Sequence, residues 1–319
     1  MATITNQPRA LKPTRKPARS IPVANAPCSW GVLEFDLPGK ALGYAQVLDE
    51  MKATGYTGTE LGDWGFMPTD PAKLRVELQT RELALLGAFV PVAFARESAH
   101  ADGEARAVKT ARLMAEAMGP LPFIVLADDN GQDATRTKLA GRIRSEHRLS
   151  KQKWETFSKG VDRVAEAVRR LTGLRSVFHH HCAGFVETPW EIEQLMKLTD
   201  PKLVGLCFDT GHFRFGGGGD PLRAYRQFKE RIWHVHFKDC SPQVDEQSRR
   251  NEWDYFASLK HGIFCELGQG DIDFQAFAAE LQRDGYPGWI VVEQDVLPGM
   301  GAPQEFARRN REFLRRCQL

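Results

Sequence analysis

Eight short apolar runs recur along the chain of 319 residues, each followed by a longer amphipathic or charged stretch, and this alternation constrains the fold more than any other feature. The runs are IPVANAP (21–27), GTEL (58–61), LALLGAFVPV (83–92), PFIVLA (122–127), LRSVFHH (174–180), LVGLCFD (203–209), IWHVHF (232–237) and WIVVEQ (289–294). Helical patterns follow near 40–54, 71–82, 103–118, 151–172, 188–199, 220–229, 273–285 and 303–316. In KWETFSKGVDRVAEAVRRL, Trp154, Phe157, Val161, Val164, Val168 and Leu171 recur at the spacing of one helix face. TPWE at 188–191 predicts a capping box, with Thr188 capping and Glu191 reaching back. Strand-then-helix alternation implies a parallel sheet, and eight units are the number that closes a (β/α)8 TIM barrel. A single α/β barrel over 21–319 is therefore expected. An open doubly wound sheet is the rival, and it lacks a G-x-G-x-x-G after the first strand. The run GGGG (216–219) reads as a flexible loop over the site, not as a phosphate cradle.

The charge is unevenly spread. Residues 1–20 carry Arg9, Lys12, Arg15, Lys16 and Arg19 with no acid, which leaves 38 basic against 41 acidic residues in the rest. The expected folded part is thus mildly acidic and shows no nucleic-acid footprint. The first 20 residues, with prolines at 8, 13 and 17, read as a disordered basic tail; they lack the apolar core of a secretory signal. No stretch approaches the ~18–20 apolar residues of a membrane span. Six scattered cysteines form no C-x-x-C pair, which fits a reducing cytoplasm. A homo-oligomer is compatible with this composition.

In a barrel, function gathers at the carboxyl ends of the strands. Six of the nine histidines fall there: His179, His180 and His181 after the fifth run, His212 after the sixth, His234 and His236 in the seventh. Glu60, Asp209, Lys238, Asp239 and Glu293 join them. Such groups are costly in a barrel interior unless paired or metal-bound. Alternation along a strand places His179 with His181, His234 with His236, and Glu293 with Asp295, while His180 points away. One histidine, one aspartate, one histidine and one glutamate from four successive strands form a mixed nitrogen and oxygen set. It suits Mn2+, Fe2+, Co2+ or Zn2+ and is poor for Ca2+. Bland readings stand beside these: Asp209 as a helix N-cap, His236 with Glu293 as a buried ion pair, Lys238 bridged to Asp239. Trp30, Trp64 and Phe66 are candidates for an apolar wall, and Arg142, Arg144 and Arg148 for an anion contact or a solvated charge run.

CFDTGHFRFGGGGDP, RIWHVHFKD, ELGQGDIDF and GWIVVEQD resemble the second half of the sugar isomerase/epimerase superfamily, the xylose isomerase-like TIM barrels. NAPCSWGVLEF and GYTGTELGDWGF resemble the opening of its inosose dehydratase-like branch, and the likeness runs over about 21–316. The resemblance implies a divalent metal, manganese first, held by Asp209, His236, Glu293 and a strand-5 residue. That position falls at His179, where the commoner pattern has a glutamate; His181 is the alternative, with His179 then touching substrate. His212 is implied to bind a substrate hydroxyl.

A metal chelated by a ketone and its neighbouring hydroxyl stabilises the enediolate formed when a base takes the adjacent proton. Glu60, His181 and His212 are the candidate bases, and Lys238 is a candidate acid or electrophile. The expected activity is therefore a metal-dependent sugar or polyol-ketone isomerase or epimerase, with inosose dehydration as the alternative. A non-catalytic sugar-binding barrel is a further reading. The DNA-repair endonucleases of this fold need a D-x-H after strand 7, and 240–265 has none.

Overall fold

The computed structural model describes residues 20–33, 42–119 and 122–319, so the expected tail lies outside the described residues except for Ser20. Eight parallel strands form: β1 (Val23–Asn25), β2 (Gly58–Thr59), β3 in two pieces (Ala84–Leu85 and Gly87–Pro91), β4 (Phe123–Ala127), β5 (Arg175–His179), β6 (Val204–Asp209), β7 (Ile232–Phe237) and β8 (Ile290–Val292). Each strand pairs with the next, and β8 pairs with β1. The first piece of β3 joins β2 and the second joins β4, so the sheet closes across Leu86. Helices α1 (Tyr44–Thr54), α2 (Pro71–Thr80), α3 (His100–Met118), α4 (Lys151–Thr172), α5 (Pro189–Leu198), α6 (Pro221–Phe228), α7 (Phe274–Asp284) and α8 (Pro303–Arg316) follow the eight strands in turn. The expected (β/α)8 barrel is borne out.

The elements form for local reasons. Strands covered on both faces can be apolar throughout, and β6 (VGLCFD) is buried at every position. Helix α4 turns Trp154, Phe157, Val161, Val164 and Val168 inward, starts on the Ser150 hydroxyl and stops at Gly173, whose φ of 77° suits the left-handed cap. The capping box of α5 is present at Thr188–Pro189, and an aspartate cap followed by proline starts α2 at Asp70–Pro71 and α6 at Asp220–Pro221. A register shift between Leu206 and Cys207 pairs Leu206 with Ile232 but Cys207 with His234, leaving Trp233 as the extra residue. Gly205 makes room for that indole. The bulge sets which β7 side chains enter the barrel.

The glycine run departs from expectation. Arg214–Gly216 continues the helical turn of Thr210–Phe213, with Gly216 buried, before Gly217 leaves it at a left-handed φ of 87°. A Cβ on Gly216 would lie 2.7 Å from the Glu187 carbonyl oxygen. Packing against backbone, not mobility, requires glycine there. Gly216→Ala is expected to lower stability by about 1–3 kcal/mol, the usual cost of overpacking, as read from the denaturant midpoint. An unchanged midpoint would show that the turn yields freely.

Candidate metal centre and active site

Strand pairing lines up the carboxyl ends of β5 to β8. Asp209 is in register with His236, His179 with Cys207, and the Glu293 amide donates to the Phe237 carbonyl at 3.0 Å. His179 Nε2 lies 3.6 Å from Asp209 Oδ2, and His236 Nδ1 lies 3.9 Å from Asp209 Oδ2 and 3.2 Å from Glu293 Oε1. One donor atom from each of His179, Asp209, His236 and Glu293 lies within 4.8 Å of all the others.

The hydrogen-bond inventory tests whether a cation fits. Asp209 divides its work: Oδ1 accepts the His212 amide at 2.7 Å as a helix cap, while Oδ2 is buried with no hydrogen-bond partner. Both nitrogens of His179 and Nδ1 of His236 are likewise buried and unsatisfied. Buried polar atoms left unpaired are costly. Here Asp209 Oδ2, His236 Nδ1 and one nitrogen of His179 group together from three strands beside Glu293 on a fourth, and a divalent cation is what would satisfy them together. The N-cap and ligand readings of Asp209 are therefore compatible, one oxygen each.

The carboxylates point the same way, whereas His236, lowered by burial, is held well above its ordinary value by Cys207, Glu293 and Glu60 and must give up a proton to ligate. Burial would raise the Asp209 and Glu293 carboxyls, but Lys238 and His179 around Asp209, and His236 and Lys238 around Glu293, hold both below their ordinary values. Burial lowers His179, and Asp209 restores only part of the loss, so its ring is a neutral donor. Burial also opposes the Lys238 ammonium, yet Asp295, Glu293 and Asp209 outweigh it and hold the lysine well above its ordinary value. Lys238 Nζ lies 3.1 Å from Glu293 Oε2, 3.1 Å from Asp295 Oδ1 and 3.3 Å from His212 Nε2.

Several sequence-based expectations change. Lys238 does not bridge to Asp239: adjacent residues on an extended segment point opposite ways. The Asp239 carboxylate instead accepts the amides of Gly268 and Gly270 at 2.8 and 2.9 Å and that of Cys240 at 2.9 Å, which is the structural use of ELGQGD. His212, expected on the substrate, does not line the cavity; it is fully buried, with its ring 3.8 Å from that of His181. Glu60 faces the barrel axis, where Oε1 takes bonds from His234 Nε2 at 2.6 Å and His236 Nε2 at 3.0 Å. Burial would raise its carboxyl, but His236 and His234 hold it down to about 2.

Strand β5 ends at His179, yet His181 still returns to the cavity beside it. Its Nδ1 lies 2.5 Å from the Cys182 carbonyl and its Nε2 3.4 Å from the Tyr255 hydroxyl. His180 points out of the barrel as expected and accepts the Asp209 amide on Nε2 at 3.2 Å.

The cavity is walled by Pro27, Val32, Leu33 and Phe89, with Asp63, Glu293 and Asp295 among its polar lining. The tryptophans do not form this wall. Trp30 is in the core with its indole nitrogen on Glu50 at 2.7 Å, and Trp64 is exposed under Lys109. Arg142 is spent on the carbonyls of Trp253 and Lys138, and Arg148 lies over Trp190. Asp63 and Tyr255 carried no sequence signal. Asp295 did, through its alternation with Glu293.

Comparison with known proteins agrees with this architecture. Residues 44–317 match the xylose isomerase-like TIM barrel family. An inosose dehydratase from Geobacillus kaustophilus is 34% identical over 295 residues, covering 91% of this chain and 92% of that protein. One from Lacticaseibacillus casei is 32% identical over 295 residues, covering 92% and 96%. The crystal structure of a 3-keto-D-glucoside 4-epimerase from E. coli superposes with a TM-score of 0.65 at 17% identity, covering 93% of this chain and all of that one, a likeness of fold. No helix among the described residues is long and apolar enough to cross a membrane. The chain thus belongs to the xylose isomerase-like TIM barrel family and is an enzyme of that superfamily.

Proposed function

We propose that this enzyme dehydrates an inosose, an uncharged keto-cyclitol, with a divalent metal held by His179, Asp209, His236 and Glu293. What carries the reading is its end-to-end similarity to proteins named inosose dehydratase. The cavity is consistent with an uncharged polyol. No arginine is among its described lining residues, and Lys238 already faces Glu293 and Asp295, so among the described residues no free lysine or arginine awaits a phosphate or carboxylate. Manganese is the expected ion; Co2+, Fe2+ and Zn2+ accept the same donors. Such an ion would supply Lewis-acid polarisation of the ketone oxygen.

The remaining chemistry falls to the chain's own side chains. The Cys182 carbonyl fixes the His181 proton on Nδ1 and leaves Nε2 basic. Nε2 takes the proton from the carbon beside the ketone. Lys238 Nζ donates to the hydroxyl on the next carbon, so one C–H and one C–O bond break and water leaves. His212, against the His181 ring and within 3.3 Å of Lys238 Nζ, keeps the two groups in place.

The test is turnover of inososes and ketoses by metal-loaded enzyme in D2O. Loss of water from an inosose, abolished in His181→Ala, is expected. An epimer or isomer formed without loss of water would replace dehydration by the isomerase or epimerase reading. Neither turnover nor exchange at the α-carbon with any of the four metals would sink both.

A further inference from the structure

We propose that Glu60, backed by His234, is a positioning residue of the metal centre that turns the His236 ring so that Nδ1 faces Asp209 and Glu293. The inference rests on the metal reading above and assigns Glu60 a task other than that of the base. His236 can present only one nitrogen to the cation, and its other nitrogen must be held by something. In this barrel the holder comes from the opposite wall: Glu60 follows β2, and its Oε1 lies 3.0 Å from His236 Nε2. The same oxygen lies 2.6 Å from His234 Nε2, one layer deeper in the barrel. His234 is itself set by packing on Phe123, ring centres 5.5 Å apart. All three polar residues are buried.

Two further features support a built arrangement. Gly87 on β3 leaves space for the carboxylate to cross the interior; a Cβ there would lie 3.0 Å from Glu60 Oε1 and 3.0 Å from Val125 Cγ2. Glu60, His234 and His236 also group closely enough to be taken for a second metal site. The two hydrogen bonds account for the grouping without one: each imidazole places its Nε2–H on Glu60 Oε1, so neither Nε2 has a lone pair free for a cation. With Nε2 committed to Glu60, Nδ1, which faces Asp209 and Glu293, is the nitrogen left to present a lone pair to a cation. A carboxylate on the far nitrogen also raises the basicity of a ligating imidazole, and loss of such partners costs about 10–100-fold in metal affinity.

The experiment is a Co2+ titration of the full-length protein against a competing chelator, read by visible absorption. Wild type is compared with Glu60→Gln, His234→Leu, the double variant and His236→Ala, with melting temperature as a fold control. Glu60→Gln is nearly isosteric and is expected to weaken Co2+ binding by about 10–100-fold and to shift the absorption bands. His234→Leu should weaken it in the same direction and by less. The double variant should match Glu60→Gln alone, because His234 acts only through Glu60. Co2+ bound by wild type, lost in His236→Ala, yet unchanged in Glu60→Gln with kcat collapsed would overturn the inference and return Glu60 to the role of base. Wild type that binds no Co2+ would overturn the metal reading, and the inference with it.

Discussion

Asp209→Asn is expected to abolish metal binding and to lower kcat by more than about 10^3-fold, while leaving the fold intact. The asparagine oxygen can still cap the His212 amide, as Oδ1 does at 2.7 Å. Its NH2 then replaces Oδ2, the atom that is buried without a hydrogen-bond partner among the two histidines. A donor in place of a carboxylate oxygen cannot hold a cation and removes one negative charge. Polarisation of a carbonyl by a metal supplies several kcal/mol of transition-state stabilisation, and each ~1.4 kcal/mol is tenfold in rate. Two measurements check this. Added Mn2+ or Co2+ should raise the melting temperature of wild type, by about 2.7 kcal/mol of stability at one hundred times Kd, and leave Asp209→Asn unmoved. Equal stabilisation of both proteins would mean that the cation binds elsewhere.

The second large effect lies behind the site. Arg136 and Glu191 are fully buried and paired at 2.9 Å through both Nη atoms of the guanidinium and both carboxylate oxygens. Arg136 Nε also donates to the Gly184 carbonyl at 2.7 Å, and Glu191 Oε2 accepts the amides of Glu187 and Thr188 at 3.1 and 2.9 Å. The network therefore fastens the segment that leads away from His181 to helix α5. Breaking a buried pair from one side strands a charge and costs about 3–5 kcal/mol. Arg136→Met should lower the melting temperature by roughly 2–4 °C per kcal/mol and lower kcat as His181 loses its support. Adding Glu191→Gln should recover part of the stability, because the stranded charge is gone while an acceptor remains. If Arg136→Met melts with wild type, the pair is not a fastening.

Much of this was legible beforehand. The strands and helices could be read because alternation and helical period repeat with little dependence on the rest of the chain. The four grouped donors could be read because barrel strands end on one face, so polar residues ending successive runs must converge. Elsewhere local pattern ran out. Beyond the end of β5 alternation no longer holds, and His181 reaches the cavity only because the chain folds back, its amide donating to the Val186 carbonyl at 3.0 Å. The family resemblance implied a substrate contact for His212. Its turn packs it beneath His181 instead. The Arg136–Glu191 pair joins an arginine that carried no sequence signal to a glutamate expected only as a helix cap, and only packing brings them together.

The amino-acid order by itself determined the barrel and the set of side chains at its carboxyl rim, because both depend on periodicity along the chain. Which atom of each side chain faces which partner was decided by closure of the barrel. That closure carries Glu60 across to His234 and His236, and the one-residue shift between β6 and β7 chooses the inward face of β7. Contacts across a barrel join residues far apart in sequence, and their geometry follows from the register and curvature of the whole sheet. No local pattern contains that information.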